Sequence, residues 1–240
     1  MARRAKQPAE APQIPPGGDR PPEAASSEAP PLGDWASRTE QAVLDQALRL
    51  APDLGWTWPM ARAAGAAVGL SAAETELLLP RGPADLAALL SRRHDARALS
   101  ALAGTDPAGL KIRARIRAGV EARLEAAAAD EAAVRRWSGW LALPHHAPLA
   151  LRLVWESADV LWRWAGDTAT DENHYSKRAI LGGILAAALA VRLRDGREAA
   201  LAFVDARIEN VMAFEAWKAR QAPSTAMADL ARRLGKLRYG

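Results

Sequence analysis

The chain lacks cysteine, strand patterns and any apolar run of membrane-spanning length. Without cysteine, disulfides, thiolate metal sites and cysteine nucleophiles are excluded. No segment alternates β-branched and polar residues over the length of a strand, so no sheet is predicted. The uncharged run from Ala179 to Val191 has 13 residues, whereas a spanning helix needs about 20. These absences predict an all-α protein in which such runs are buried core helices.

The charge balance does not point to nucleic acid. The 240 residues include 32 basic and 28 acidic side chains, which gives a net charge of +4 and a pI near 9.8. Half of the residues are hydrophobic, as in an ordinary globular protein. So small a positive excess does not by itself indicate a polyanionic partner.

Residues 1–33 differ from the rest of the chain in composition. They hold eight of the 16 prolines, mixed with alanine, glutamate, serine and glycine. This composition predicts a disordered tail. The tail has no apolar core typical of a secretory signal, and its acidic residues argue against a mitochondrial transit peptide. We therefore expect an intracellular protein.

Helix start and stop signals recur from residue 37 onward. Ser71 with Glu74 forms a capping-box pattern. Thr57 precedes a Trp-Pro start, and Asp106 with Pro107 pairs an N-cap with a proline at the first helical position. Prolines and glycines mark the ends. The signals predict helices near 37–51, 58–67, 71–79, 83–93, 107–127, 130–142, 147–165, 172–194, 197–220 and 224–238.

The three helices before residue 80 have helix-turn-helix spacing, with Gly69 in the turn. A recognition helix needs Arg, Lys, Asn or Gln side chains to reach bases and phosphates. The third helix reads SAAETELLL, and no basic residue lies between Arg62 and Arg81. Glu74 and Glu76 would repel a polyanion. We predict no nucleic-acid binding, and a ligand-responsive transcriptional regulator is the alternative function.

No pattern in the chain indicates catalysis. The four histidines form neither an H-E-x-x-H motif nor the Glu-x-x-His repeat of di-iron bundles. There is no glycine-rich phosphate loop and no G-x-S-x-G elbow. The sequence therefore predicts no catalytic residue, no metal site, no cofactor and no enzymatic activity.

Two consecutive segments, 149–166 and 179–191, are apolar on nearly every side. The second carries Gly182, Gly183 and several alanines. The charged residues of the first share one helical stripe: Arg152, Glu156, Asp159 and Arg163. Such a pair either packs closely at native density or leaves a cavity for an apolar ligand.

The segment 222–240 has the pattern of a basic amphipathic helix. A helix docked on its own core has a similar pattern, but the excess of basic residues favours reversible adsorption to a membrane surface. Each basic residue near an anionic leaflet contributes about 1 kcal/mol, and each buried Leu or Met about 1.5 to 3 kcal/mol. The residues concerned are Met227, Leu230, Leu234 and Leu237 on the apolar side and Arg232, Arg233 and Lys236 on the opposite side.

The stretch GDTATDENHYSKRA, residues 166–179, with the segment before it, resembles the Coq-nine family, lipid-binding accessory proteins of ubiquinone biosynthesis. The family has a Leu-Pro turn, a Trp-containing helix ending in Gly-Asp, and then Ser/Thr, Asp, Asn, Tyr and a basic pair. The residues that match here are Leu143-Pro144, Trp162, Gly166-Asp167, Thr170, Asp171, Asn173, Tyr175 and Lys177-Arg178. The resemblance runs from about residue 40 to residue 220.

The resemblance implies a TetR-like helical bundle with a vestigial helix-turn-helix. Its implied divisions are a tail at 1–33, a helix-turn-helix-like region at 34–95, a lipid-binding bundle at 96–221 and a membrane-surface helix at 222–240. The ligand would be an isoprenoid lipid or quinone precursor. Together with the cavity interpretation, the resemblance implies a pocket lined by Leu153, Val154, Leu161, Trp162, Ile180, Leu181, Ile184 and Leu185.

The resemblance also implies partners and a location. The partner would be a Coq-seven-type di-iron hydroxylase, and TetR-like relatives are commonly homodimers. We expect a cytoplasmic protein at the bacterial inner membrane, or a protein on the matrix side of a eukaryotic mitochondrion. The family has aromatic residues where this chain has Glu172 and His174, which would weaken a hydrophobic hot spot. The expected partner surface comprises Asp171, Asn173, His174, Tyr175, Lys177 and Arg178.

Overall fold

The computed structural model describes residues 32–168 and 172–221. The regular structure in these ranges is helical and contains no strand, which confirms the all-α prediction. None of the described helices is long and apolar enough to cross a membrane. The α-helices are α1 (Leu32–Leu54), α2 (Trp58–Ala67), α3 (Ala72–Leu78), α4 (Pro83–Leu102), α5 (Ile112–Ala128), α6 (Glu131–Leu141), α7 (Ala147–Trp164), α8 (Glu172–Asp195) and α9 (Arg197–Gln221).

Side-chain caps fix the starts of α2 and α3. Thr57 Oγ1 accepts a hydrogen bond from the amide of Met60 at 3.3 Å. Ser71 and Glu74 form the reciprocal capping box, in which the Ser71 amide donates to Glu74 Oε2 at 2.8 Å. Each cap satisfies an amide that has no partner inside the helix. These helices begin within a residue of the predicted positions.

Three predicted boundaries are wrong. Helix α1 begins at Leu32, so the last two residues of the predicted tail are helical, and the rest of the tail lies outside the described residues. Helix α4 continues through the predicted division at 95 and 96. His94 and Asp95, next to this division, lie within the helix and bond to Asp130 and Arg123. Asp106 caps only a short 3-10 turn, Pro107–Gly109, and α5 begins after it.

Two apolar cores share α7. The first core joins α1, α2, α4 and α6, and fully buried Leu44, Met60 and Leu86 lie in it. The second joins α5, α7, α8 and α9 around Val120 and Leu181. Helix α7 contributes to both, so the α7–α8 pair lies between them.

Candidate functional site

Helices α7 and α8 meet closely at Gly182. A Cβ atom there would lie 2.9 Å from Val154 Cγ1, which leaves no room for a side chain. At the neighbouring Gly183, which is exposed, a Cβ atom would meet nothing within 4 Å. Close packing, one of the two alternatives of the sequence, therefore occurs at Gly182, and the other alternative, open space, occurs in clefts that residues of these helices line.

One open space, the first cleft, lies between α5, the end of α7, α8 and α9. Its volume is about 400 Å³, within the roughly 300 to 1,000 Å³ typical of ligand pockets. The first cleft can accept an apolar group of small-molecule size. Its apolar lining includes Ile116, Trp162, Leu181, Ile184, Ile208 and Met212.

Basic side chains lie on the lining of the first cleft. They are Arg113, Arg115 and Lys177. Arg115 donates to the carbonyl oxygens of Ala165 at 2.7 Å and Leu110 at 2.8 Å, so these hydrogen bonds hold it without neutralising its charge. Apolar walls beside cationic groups suit a ligand with an apolar body and a polar head.

The Trp162 indole is fixed at the wall of the first cleft by Lys177. Its Nε1–H donates to the carbonyl oxygen of Lys177 at 3.0 Å. The Lys177 ammonium lies 5.4 Å from the indole ring centroid, within cation–π range. The same ammonium is 2.7 Å from Asp167 Oδ1.

Arg178 faces inward, so the prediction that it contacts a partner is wrong. Its side chain is 2% exposed, with Nε 2.6 Å from Asp159 Oδ1 and Nη1 3.0 Å from Asp167 Oδ2. Burial favours the neutral Asp167 carboxyl, but hydrogen bonds from Lys177 and Arg178 outweigh this, and the pKa of Asp167 is lowered. The basic pair of the 166–179 motif therefore joins the start of α8 to the end of α7.

An exposed aromatic cluster lies beside this junction. Tyr175 is 64% exposed, and its ring centroid is 6.0 Å from that of Trp155 and 5.2 Å from that of His174. Trp155 was not predicted for this surface, although its place on the apolar segment before the motif could have suggested it. Asp171 lies outside the described residues, and only the backbone of Asn173 is described.

A second cleft, of about 370 Å³, lies between α4, α5, α6, α7 and α8. The prediction of one pocket is therefore wrong, because the predicted lining residues are divided between two clefts that share no lining residue. Leu161, with 1% exposure, lines neither cleft and packs in the second core. Of the predicted pocket residues, Trp162, Ile180, Leu181 and Ile184 line the first cleft, and Leu153, Val154 and Leu185 line the second.

The sequence prediction missed the part of the first cleft that α9 supplies. Ile208, Val211 and Met212 line it, and they are spaced three and four residues apart on one helical face. That spacing was a usable signal. The predicted membrane-binding residues, from Met227 to Leu237, lie outside the described residues. Within the described ranges, no group of histidine, aspartate and glutamate residues could hold a metal ion.

Comparisons with known proteins agree with the all-helical fold. The solved TetR transcriptional regulator from Nitrosomonas europaea superposes with a TM-score of 0.56 at 17% identity, over 72% of this chain and 97% of its own. That likeness defines an all-helical protein with a TetR-like fold.

Residues 147–215, which include α7 and α8, match the COQ9 family model. The mitochondrial ubiquinone biosynthesis protein COQ9-B of Xenopus laevis is 27% identical over 190 residues, 72% of this chain and 62% of the relative. The COQ9 protein of Bos taurus is 37% identical over 75 residues, 30% of this chain and 24% of the relative. Residues 147–215 are therefore similar to the COQ9 family, and the chain spans about 62% of the length of the Xenopus relative.

Proposed function

We propose that this protein is a non-enzymatic accessory protein of ubiquinone biosynthesis that binds an isoprenoid quinone precursor in the first cleft. The observation that carries the proposal is an apolar cleft with basic residues on its lining, most of which comes from helices α7, α8 and α9 of the family-matched segment. The isoprenoid tail would lie against Ile184 and Ile208, and the ring oxygens would face Arg113 and Lys177. The similarity to COQ9 proteins of ubiquinone biosynthesis supports the pathway.

Native mass spectrometry of the purified full chain, with lipid extraction, tests the ligand. Ile208→Trp would fill the first cleft, and Ala206→Trp, at an exposed position of the same helix that does not line it, is the matched control. Wild type and Ala206→Trp should carry isoprenoid lipid, whereas Ile208→Trp should carry at least about tenfold less, because its indole occupies the space. Lipid-free wild-type protein or equal lipid in all three proteins would contradict the proposal.

The partner would be a Coq-seven-type di-iron hydroxylase that docks on the aromatic cluster of half-buried Trp155 and His174 and exposed Tyr175. Aromatic side chains are typical interface hot spots, and Lys177 connects this surface to the first cleft. Tyr175→Asp should weaken hydroxylase binding at least about tenfold in a pull-down titration. Trp35→Asp, at a 53% exposed tryptophan on α1, should leave binding unchanged. Equal loss in both variants would remove this surface from the proposal.

Access to the quinone would come from adsorption of residues 222–240 to the membrane surface. Leu230→Glu combined with Leu234→Glu should abolish sedimentation with anionic liposomes, because it places charge on the apolar side. Thermal unfolding of the helical body should not change. Sedimentation equal to that of the wild type would refute the adsorption. We also propose that the chain is a homodimer, which sedimentation equilibrium of the full chain tests.

A further inference from the structure

We propose that the second cleft is a separate binding site for a neutral apolar molecule that carries hydrogen-bond-accepting oxygens, such as a quinone or alkoxy-substituted ring. The walls of the cleft are apolar and include Leu141, Leu153, Val154 and Leu189. The Trp137 indole, also on the wall, is held by a 3.3 Å hydrogen bond to the carbonyl oxygen of Ala87. A cleft of about 370 Å³ with such walls accommodates a ring and a short chain.

The polar part of the second cleft is a charge pair that is already neutral. The Arg123 side chain is 8% exposed, and its Nε donates to Asp95 Oδ1 at 2.6 Å. The hydroxyl of Ser157 donates to the same carboxylate oxygen at 2.7 Å. An anionic head would add a negative charge that nothing in the pair balances, in an apolar space where such a charge is costly.

The pair still has hydrogen-bond donors to spare. A guanidinium has five N–H groups, and among the described residues those of Arg123 reach only Asp95 and, at 3.5 Å, Ser91 Oγ. The buried Ser138 hydroxyl on the same cleft has no partner in the described part of the chain. Buried polar groups are nearly always hydrogen-bonded. A neutral acceptor oxygen would satisfy both groups without adding charge.

This site is separate from the first cleft, since the two clefts share no lining residue. Filling one cleft should therefore leave the other able to bind. Absence of lipid from the first cleft would therefore contradict only the proposed function, and absence of binding at the second cleft would contradict only this proposal.

Calorimetric titration of the lipid-extracted full chain with a decyl-substituted dimethoxybenzoquinone tests the site. Ala150→Leu would fill the second cleft, and Ala147→Leu makes the same substitution one turn earlier on α7, at an exposed position outside the cleft. Wild type, Ala147→Leu and Ile208→Trp should all retain binding at the second cleft, and Ala150→Leu should weaken it at least tenfold. If the first cleft also binds the probe, the wild type takes up two molecules and Ala150→Leu one. If only the second cleft binds it, the numbers are one and none.

Recognition of the oxygens is tested with Ser138→Ala and two further probes. Ser138→Ala should weaken the quinone about two- to tenfold, as expected for one buried hydrogen bond, and should not change binding of decylbenzene. Decanoate should bind the second cleft more weakly than the quinone. An equal number of probe molecules bound with equal affinity by wild type and Ala150→Leu, or no binding to the wild type, would overturn the site. Equal affinity for quinone, decylbenzene and decanoate would overturn the oxygen recognition.

Discussion

Helices α2 and α3 and helices α7 and α8 both meet at a glycine, but only the second pair leaves usable space beside it. At Gly65 on α2 a Cβ atom would overlap Thr75 Oγ1 and lie 2.8 Å from Thr75 Cγ2, and Thr75 is fully buried. At Gly182 the contact with Val154 Cγ1, at 2.9 Å, is looser, and residues of α7 and α8 line two clefts. A glycine contact alone therefore does not predict an interface without clefts.

The largest effect should come from the charges that hold α7 to α8. Arg178→Met would leave two carboxylates without their buried partner, so the free energy of unfolding should fall by about 3 to 5 kcal/mol. Arg163→Met removes a 73% exposed partner of Asp159 and should cost at most about 1 kcal/mol. Urea unfolding measures both. A loss for Arg178→Met as small as that for Arg163→Met would mean that apolar packing, and not the buried ion pairs, holds α7 to α8.

Alanine at the two kinds of glycine should have opposite effects. Gly65→Ala overlaps Thr75 and should destabilise the protein by about 1 to 3 kcal/mol. Gly183→Ala meets nothing and should stabilise the protein by about 0.5 to 1 kcal/mol, since alanine is the better helix former. Thermal or urea unfolding measures both changes in stability. A destabilised Gly183→Ala protein would indicate that another chain or segment covers that face.

The titration of His94 and that of Asp167 should lower the free energy of unfolding in separate pH ranges. Burial lowers the pKa of His94, against the opposing hydrogen bond to Asp130. The unfolded chain therefore binds more protons, and stability falls as the pH drops below about 6.5. The lowered pKa of Asp167 removes further stability as the pH falls through about 3.9 and below. Urea unfolding at stepped pH should show the second loss reduced in Asp167→Asn, and an unchanged profile would exclude Asp167 as its source.

The smallest effect is expected for substitutions of basic residues in the helix-turn-helix-like region, tested by DNA binding. Arg62 bonds to Glu76 at 2.7 Å and Arg81 to Asp85 at 2.9 Å, so neither basic side chain is available without breaking an ion pair. Gel-shift assays should detect no salt-dependent binding of duplex DNA, and Arg62→Ala and Arg81→Ala should change nothing. Binding that these substitutions reduce would favour the alternative, a TetR-type regulator.

The sequence predicted the elements well where local chemistry sets them. The Ser71–Glu74 box and the Thr57 cap are local hydrogen bonds, and both are present at the predicted positions. Asp106 forms the predicted cap, but the predicted start of an α-helix there is wrong because only a 3-10 turn follows.

Long-range contacts explain the errors at the candidate site. A basic residue at position 178 is expected at the surface, and only the proximity of Asp159 and Asp167 makes its burial favourable. The division of one predicted pocket into two depends on which side chains α5, α7 and α8 bring to each cleft. Helical periodicity assigns such residues to apolar faces but cannot bring residues of different helices together.

Lys177 gives the first cleft a mechanical connection to the protein surface. Its carbonyl holds the Trp162 indole, its ammonium is tied to Asp167, and it lies two residues from exposed Tyr175. A guest molecule that pushes the indole aside must therefore strain the first turns of α8. In the proposed function, occupancy of the first cleft would therefore be transmitted outward as a small displacement of the aromatic cluster, which the proposed partner could detect.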